Sequence, residues 1–124
     1  MRRWVAGLSD DPPDDALHEV RKRAKQLRYA SEAAAPVIGR PATRLAKAAE
    51  NLQEVLGELH DAVVAEAWLR ERGGQAGGPP ALAAGRLLER AEGRRMELRS
   101  VWTRAWKRVR SKKRRAWLKA RARN

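Results

Sequence analysis

An unbroken apolar repeat between residues 45 and 63 constrains the fold more than any other feature of this 124-residue chain. Its members alternate at steps of four and three residues and are Leu45, Ala49, Leu52, Leu56, Leu59 and Val63. This is the spacing of one stripe on an α-helix. The stripe continues across Gly57, although a glycine inside a helix costs about 1 kcal/mol. We therefore predict one helix from about residue 42 to about residue 72, beginning near Pro41.

Apolar stripes of the same period occur on both sides of this helix. The earlier stripe consists of Leu17, Val20, Ala24, Leu27, Ser31 and Ala34. We predict that its helix begins with Asp11 as N-cap and Pro12 in the first turn. It should end near Ala34, because Pro36 and Gly39 follow.

The later stripe belongs to a third predicted helix that begins at about residue 81. It consists of Leu87, Ala91, Leu98, Trp102, Ala105 and Val109. The glycine-rich stretch 73–80 separates it from the second helix and predicts a flexible turn. Since no segment shows the alternation of a β-strand, we predict an all-α antiparallel bundle of about three long helices, in a single domain over residues 1–124.

Charge is distributed unevenly along the chain. Residues 1–72 hold 12 Lys or Arg and 12 Asp or Glu, whereas residues 73–124 hold 16 and 3, so the later part carries the whole net charge of +13. We predict that residues 110–124 form a fraying basic tail and that the chain has an acidic partner. Residues 1–10 read as the remnant of a helix. Without a long apolar run or a signal peptide, the expectation is a soluble, cytoplasmic protein with no membrane span. The sequence contains no cysteine, which excludes disulfides and thiolate metal sites.

A second, polar stripe follows the first helix. It consists of His18, Arg21, Lys22, Lys25, Arg28 and Tyr29. It contains no acid apart from Glu32 at its end, whereas a solubilising face usually mixes signs. A solvated surface remains the alternative. Because like charges three and four residues apart repel one another, we interpret the stripe as a face that binds a polyanion.

The second helix carries Gln53, Gly57 and Asp61 along one line, where a glycine permits close approach of a neighbouring backbone. The amide of Gln53 and the carboxylate of Asp61 are suited to hydrogen bonds across the contact. The alternative is that these are ordinary residues on the flank of the helix. His60 and Asp61 together make only half of a metal site. No nucleophile elbow, phosphate-binding loop or paired-histidine zinc motif occurs. We predict no catalytic residues, no metal and no cofactor.

Two of these segments carry a resemblance to a known family. The sequence L-H-E-V-R-K-R-A-K-Q-L-R-Y at 17–29 and the sequence L-Q-E-V-L-G-E-L-H-D at 52–61, followed by an Arg- and Trp-rich closing helix, resemble the CHAD family, the conserved histidine α-helical domain. The resemblance extends over roughly residues 4–115. A full domain of that family has two helical halves around a basic channel, and this chain is similar to the C-terminal half.

The resemblance implies non-catalytic binding of inorganic polyphosphate and recruitment to polyphosphate granules. The polar stripe of the first helix would supply the main contacts, and binding would strengthen below neutral pH if His18 contacts phosphate. Weaker candidates, chosen by charge and position, are Arg44, Lys47, Arg99, Lys107 and Arg108. Because one half would leave an apolar surface uncovered, including Trp4, Val5, Leu8 and Trp106, we expect a homodimer. The alternative function is nucleic-acid binding through the Arg- and Trp-rich C-terminal helix.

Overall fold

The structure is a computed structural model that describes residues 13–75 and 77–123. It contains four helices in the order α1 (Asp14–Ile38), α2 (Arg40–Gln75), α3 (Pro79–Val109) and α4 (Lys112–Arg123). The described residues contain no strand. The predicted all-α bundle with three long helices is therefore confirmed, and α4 is a short additional helix. The predicted N-cap Asp11 and the segment 1–10 lie outside the described residues.

The core lies where α1, the first two thirds of α2 and the second half of α3 meet. Its buried side chains are Leu17, Val20, Ala24, Ala48, Leu52, Leu56, Leu59, Leu98, Trp102, Ala105, Trp106 and Val109. The stripes predicted for the three helices supply most of this cluster. Trp106 is only 7% exposed, so its predicted place on an uncovered apolar surface was wrong. Its indole packs inside the bundle instead.

The end of α1 differs from the prediction. The helix continues to Ile38 and contains Pro36, rather than ending near Ala34. The backbone N–H of Gly39 donates to the carbonyl of Ala35 at 2.8 Å, so helical hydrogen bonding continues past the proline. Gly39 has a φ of 85°, a conformation that side-chain-bearing residues rarely adopt. The glycine, and not the proline, therefore ends this helix.

The second helix runs without interruption through Gly57, as predicted, and also includes Gly73. The expected flexible segment 73–80 was therefore too long, because α3 already begins at Pro79. A Cβ atom built on Gly73 would lie 3.2 Å from the Cβ of Ala84. Gly73 thus permits the close approach of α2 and α3 just before the chain turns between them.

Ion pairs on α2 and α3 hold these two helices side by side where they extend past the start of α1. Arg95 donates from Nε to the buried carboxylate of Glu66 at 2.7 Å, and Arg70 bridges Glu66 at 2.7 Å and Glu92 at 2.9 Å. Glu66 is only 5% exposed, so these guanidinium partners compensate its lost hydration. They fix the antiparallel register of α2 and α3.

Residues 112–123 form α4, where the sequence analysis predicted a fraying tail. Arg and Ala favour helices intrinsically, and the new helix also closes the end of α3. Arg115 donates two hydrogen bonds to the carbonyl of Arg110, at 2.8 and 3.1 Å, and Arg114 donates to the carbonyl of Arg108 at 3.4 Å. The carbonyl of Arg108 also accepts from the backbone N–H of Ser111 at 3.4 Å, so the turn and the guanidinium groups of α4 together cap α3.

Candidate functional site

The polar stripe of α1, hereafter the α1 basic face, lies beside α2 on the surface of the bundle. It consists of His18, Arg21, Lys22, Lys25, Arg28 and Tyr29, as the sequence predicts. His18, Arg21 and Arg28 are half-buried against α2, whereas the other three are exposed. Four of its members and Gln53 of α2 line one small cavity of about 210 Å³; the four are His18, Arg21, Lys22 and Lys25.

Arg21 lies directly over Gly57. A Cβ atom on that glycine would lie 3.3 Å from Nε of Arg21 and 3.4 Å from its Nη2. The sequence analysis expected a neighbouring backbone to approach this glycine, but a guanidinium group does so. The missing side chain at Gly57 therefore leaves the space in which Arg21 lies flat against α2.

Two polar atoms of residues that line this cavity are buried without a partner. Nδ1 of His18 and Nε of Arg21 form no hydrogen bond within residues 13–75 and 77–123. A buried polar group without a hydrogen bond costs about 1–3 kcal/mol. An anion that enters the cavity would meet the positive charges of Arg21, Lys22 and Lys25. The site thus has the donors, the positive charge and the concave shape that an oxyanion requires.

His60 is a neighbour of this site that the sequence analysis did not include. Its ring centroid lies 5.2 Å from that of His18, with 32° between the ring planes. The sequence spacing could have predicted this neighbour, since His60 follows Gln53 by seven residues and so lies on the same side of α2. His60 had been considered only with Asp61, and Asp61 forms no hydrogen bond across the α1–α2 contact within the described chain.

Arg28 is more strongly paired than its place in a basic row suggested. Its Nε donates to Glu32 at 2.9 Å, its Nη1 donates to Gln53 at 3.2 Å, and its Nη2 lies 3.9 Å from Glu50. The hydrogen bond to Glu32 raises the pKa of Arg28 most, and the nearby carboxylate charges raise it further against an opposing effect of burial. Arg28 therefore remains charged, but it must share its donors with two acids.

Lys22 and Tyr29 complete the α1 basic face. Nζ of Lys22 lies 3.9 Å from Glu19 in an exposed pair, which salt screens readily. Nζ of Lys25 and Cζ of Arg28 each lie 5.8 Å from the centroid of the Tyr29 ring. Both distances are within the range of cation–π attraction. The exposed phenol ring thus positions two cations and leaves its hydroxyl available to donate.

The weaker candidates do not join the α1 basic face. Arg44, Lys47 and Arg108 line a separate pair of cavities near the junction of α3 and α4. Arg99 is half-buried on α3 and Lys107 is exposed on the same helix, and neither lines any of these cavities. The predicted residues therefore form two separate groups, the α1 basic face and the set of Arg44, Lys47 and Arg108. Arg99 and Lys107 belong to neither group.

An apolar groove lies next to the α1 basic face, where α2 and α3 extend past the start of α1. It has a volume of about 750 Å³ and is lined by His60, Asp61, Val64, Ala65, Trp68, Leu69, Leu87 and Ala91. Trp68 is 55% exposed, and Cζ of Arg72 lies 5.3 Å from the centroid of its ring. Because His60 lines the groove and its ring lies beside that of His18, the groove and the basic cavity are neighbours.

Neither a candidate metal site nor a candidate membrane span occurs in the part of the chain that the structure describes. No group of three or more His, Asp or Glu side chains in residues 13–75 and 77–123 could hold a metal ion. Within the same ranges, each helix is too short or too polar to cross a bilayer.

Comparison with known proteins gives one family match. The model of the CHAD domain matches residues 1–70, which include α1, most of α2 and the α1 basic face. No curated protein and no solved structure matches the chain. The match is shorter than the resemblance read from the sequence, because α3 and α4 lie outside it. It covers more than half of the 124 residues, so the chain belongs to the CHAD family.

Proposed function

We propose that this chain binds inorganic polyphosphate through the α1 basic face. CHAD domains are associated with polyphosphate binding and are not generally catalytic. The observation that supports the proposal best is the cavity that Arg21, Lys22 and Lys25 line together with His18 and Gln53. Three positive charges around one concave site would attract a phosphate group.

The α1 basic face suits a linear polymer of phosphates. Positions 18 to 29 extend over about 16 Å along the helix axis, at 1.5 Å per residue. The cations along this length recur at steps of three and four residues, so they point in one direction. A phosphate chain that follows the helix axis would meet a new positive charge at each turn.

The members of the face would have different roles. Arg21 presents a planar guanidinium that binds two phosphate oxygens at once. Lys22 and Lys25 contribute exposed point charges, and Tyr29 donates from its hydroxyl. Arg28 would exchange a carboxylate for a phosphate, so it should contribute less than Arg21. His18 lines the same cavity at the start of the row.

Binding of this kind would recruit the chain to polyphosphate granules in the cytoplasm. No chemical step is included in the proposal, since positioning and charge neutralisation are sufficient for recruitment. Counterion release would make the affinity fall steeply with salt concentration, as for any protein that binds a polyanion.

The proposal includes a homodimer formed through the apolar groove. In a dimer with a two-fold axis, the apolar groove of one chain packs against the same groove of the other chain. This is the commonest symmetry of oligomers formed by identical chains. Val64 and Trp68 are each more than half exposed in this groove, and burying them would remove apolar area from water. Because the groove adjoins the basic cavity at His60, pairing there would place two α1 basic faces close together.

A competition experiment tests the choice of ligand. Long-chain polyphosphate and duplex DNA compete for the full chain at one fixed ionic strength, and concentrations are expressed per phosphate. We expect polyphosphate to displace DNA at low excess, because the concave cavity admits a narrow, flexible chain. If DNA displaces polyphosphate instead, the nucleic-acid alternative is favoured and the proposal fails.

Light scattering over a series of protein concentrations tests the dimer. Trp68→Glu should lower the mass to that of a monomer, because it places a charge in the apolar contact. Val37→Glu is the matched control, since Val37 is 72% exposed and lies at the other end of α1. A wild-type monomer at tens of micromolar, unchanged by short polyphosphate, would refute the dimer and leave the binding proposal intact.

A further inference from the structure

Five cations converge where α3 meets α4 beside the first half of α2. This elbow cluster consists of Arg44, Lys47, Arg108, Lys113 and Arg114. They line two adjoining cavities of about 450 and 520 Å³, which share Arg44 and Arg114. Three helices contribute to this small region, and its other lining residues are Pro41, Ala48, Asn51 and Ser111, none of which is acidic.

The cations of the elbow cluster have no carboxylate partners within the described residues. Elsewhere in the bundle the pattern is different. Arg70, Arg94 and Arg95 on the faces between α2 and α3 each pair with at least one glutamate, and Arg28 on α1 pairs with two. Five unneutralised charges in one place repel one another, so an anion that binds there relieves this repulsion.

The elbow has a fixed shape. The guanidinium groups of Arg114 and Arg115 donate to the last carbonyls of α3, as described above, and the backbone N–H of Arg114 donates to Oγ of Ser111 at 3.5 Å. These bonds set the angle between α3 and α4. Because the hydroxyl of Ser111 already accepts from the backbone N–H of Arg114, that amide is not available to an anion. The positive charge of the site therefore comes from its side chains.

The elbow cluster and the α1 basic face lie on opposite sides of α2. At 100° per residue, the mean direction of Arg44, Lys47 and Asn51 is about 150° from that of Gln53, Gly57 and His60. The cavities on the two sides share no lining residue. A phosphate chain bound along α1 would therefore have to pass round α2 to reach the elbow.

We infer that the elbow cluster is a second, independent anion site, which binds a compact and multiply charged phosphate such as tripolyphosphate. Short oligophosphates fit because the five charges converge on adjoining cavities, whereas the α1 basic face presents its charges in a row. The same chemistry is available from a free oligophosphate or from the end of a long polyphosphate chain. This inference does not rest on the function proposed for α1, since no residue is common to the two sites.

Calorimetric titration of the full chain with tripolyphosphate tests the inference. Arg44→Gln with Arg114→Gln should lower the affinity by about tenfold or more, because two charge-assisted contacts are lost. Arg86→Gln with Arg90→Gln removes the same charge from exposed positions on α3 and is the matched control. Since Arg114 also caps α3, the pair Lys47→Gln and Lys113→Gln, which leaves that cap intact, should show a loss of the same order.

The outcomes separate the two sites. Arg21→Gln with Lys25→Gln should leave the affinity of the elbow for tripolyphosphate unchanged. If the α1 basic face also binds tripolyphosphate, this variant should bind one fewer tripolyphosphate per chain. Equal losses from the elbow and control variants would overturn the inference, because net charge alone would then explain binding. It would also be overturned if the elbow variants weakened binding of duplex DNA more than that of tripolyphosphate. A second titration, with long-chain polyphosphate, distinguishes the two sources of the ligand. If the elbow binds tripolyphosphate more tightly than it binds long-chain polyphosphate, with both concentrations expressed per chain, its ligand is a free oligophosphate and not a chain end.

Discussion

Replacing Gly57 with alanine should separate the stability of the bundle from its affinity for polyphosphate. Alanine favours a helix over glycine by about 1 kcal/mol, so the free energy of unfolding should rise. The new methyl group, however, would lie 3.3 Å from Nε of Arg21, and this side chain has to move by a few tenths of an ångström. The gain in stability should therefore be less than that full value.

The affinity should change in the opposite direction. A hydrogen bond to a charged group contributes about 1.5–3 kcal/mol, and displacing Arg21 from its position should lose part of one such bond. A loss of about 1 kcal/mol corresponds to roughly a fivefold weaker affinity for polyphosphate. Gly57→Ala should thus give a more stable protein that binds its ligand less tightly.

The matched control is Gly93→Ala. Gly93 also lies inside a long helix, and no atom lies within 4 Å of a Cβ built on it. This variant should show the full gain in the free energy of unfolding, about 1 kcal/mol, which corresponds to a rise of about 4 °C in melting temperature. Its affinity for polyphosphate should not change. Denaturant unfolding and calorimetric titration measure the two effects. Equal affinities of Gly57→Ala and Gly93→Ala would refute the role given to the position of Arg21.

Three further predictions concern single side chains. His18→Gln should weaken the binding of polyphosphate in calorimetric titrations, because its imidazole lines the α1 cavity; an unchanged affinity would assign His18 a structural role. Glu32→Gln should raise the affinity by about twofold, because it releases Arg28 from its closest carboxylate, whereas the exposed Glu54→Gln should leave the affinity nearer to that of the wild type. Trp102→Ala should lower the free energy of unfolding by about 3–5 kcal/mol, since this indole is only 4% exposed, and a small loss in denaturant melts would contradict the core described above.

Periodic patterns made much of the fold predictable. The repeat from Leu45 to Val63 specifies a long helix with one buried face, and Leu45, Leu52 and Leu59 are fully buried in the structure. The end of α1 was not predictable in the same way. Whether Pro36 or Gly39 stops the helix depends on which backbone hydrogen bonds survive, and a stripe of apolar residues carries no information about that choice.

The candidate site was predictable only within one helix. Residues three and four apart share a face, so the α1 basic face follows directly from the positions of His18 to Tyr29. The pairing of Arg28 with Glu50 and the place of Arg21 over Gly57 join different helices. They depend on the register of α1 against α2, which the spacing of one helix does not fix. The same limit applies to the elbow cluster, because its cations come from three helices.

The central claim is that polyphosphate binds the α1 basic face and not simply the most positive part of the chain. It is tested most directly by titrating long-chain polyphosphate into Arg21→Gln with Lys25→Gln, and into Arg86→Gln with Arg90→Gln, at physiological ionic strength. Both double variants remove two positive charges, but only the first changes the α1 cavity. We expect the α1 variant to lose about tenfold or more in affinity and the control to remain within about twofold of the wild type. Equal losses would contradict the claim, because polyphosphate would then be held by net charge alone.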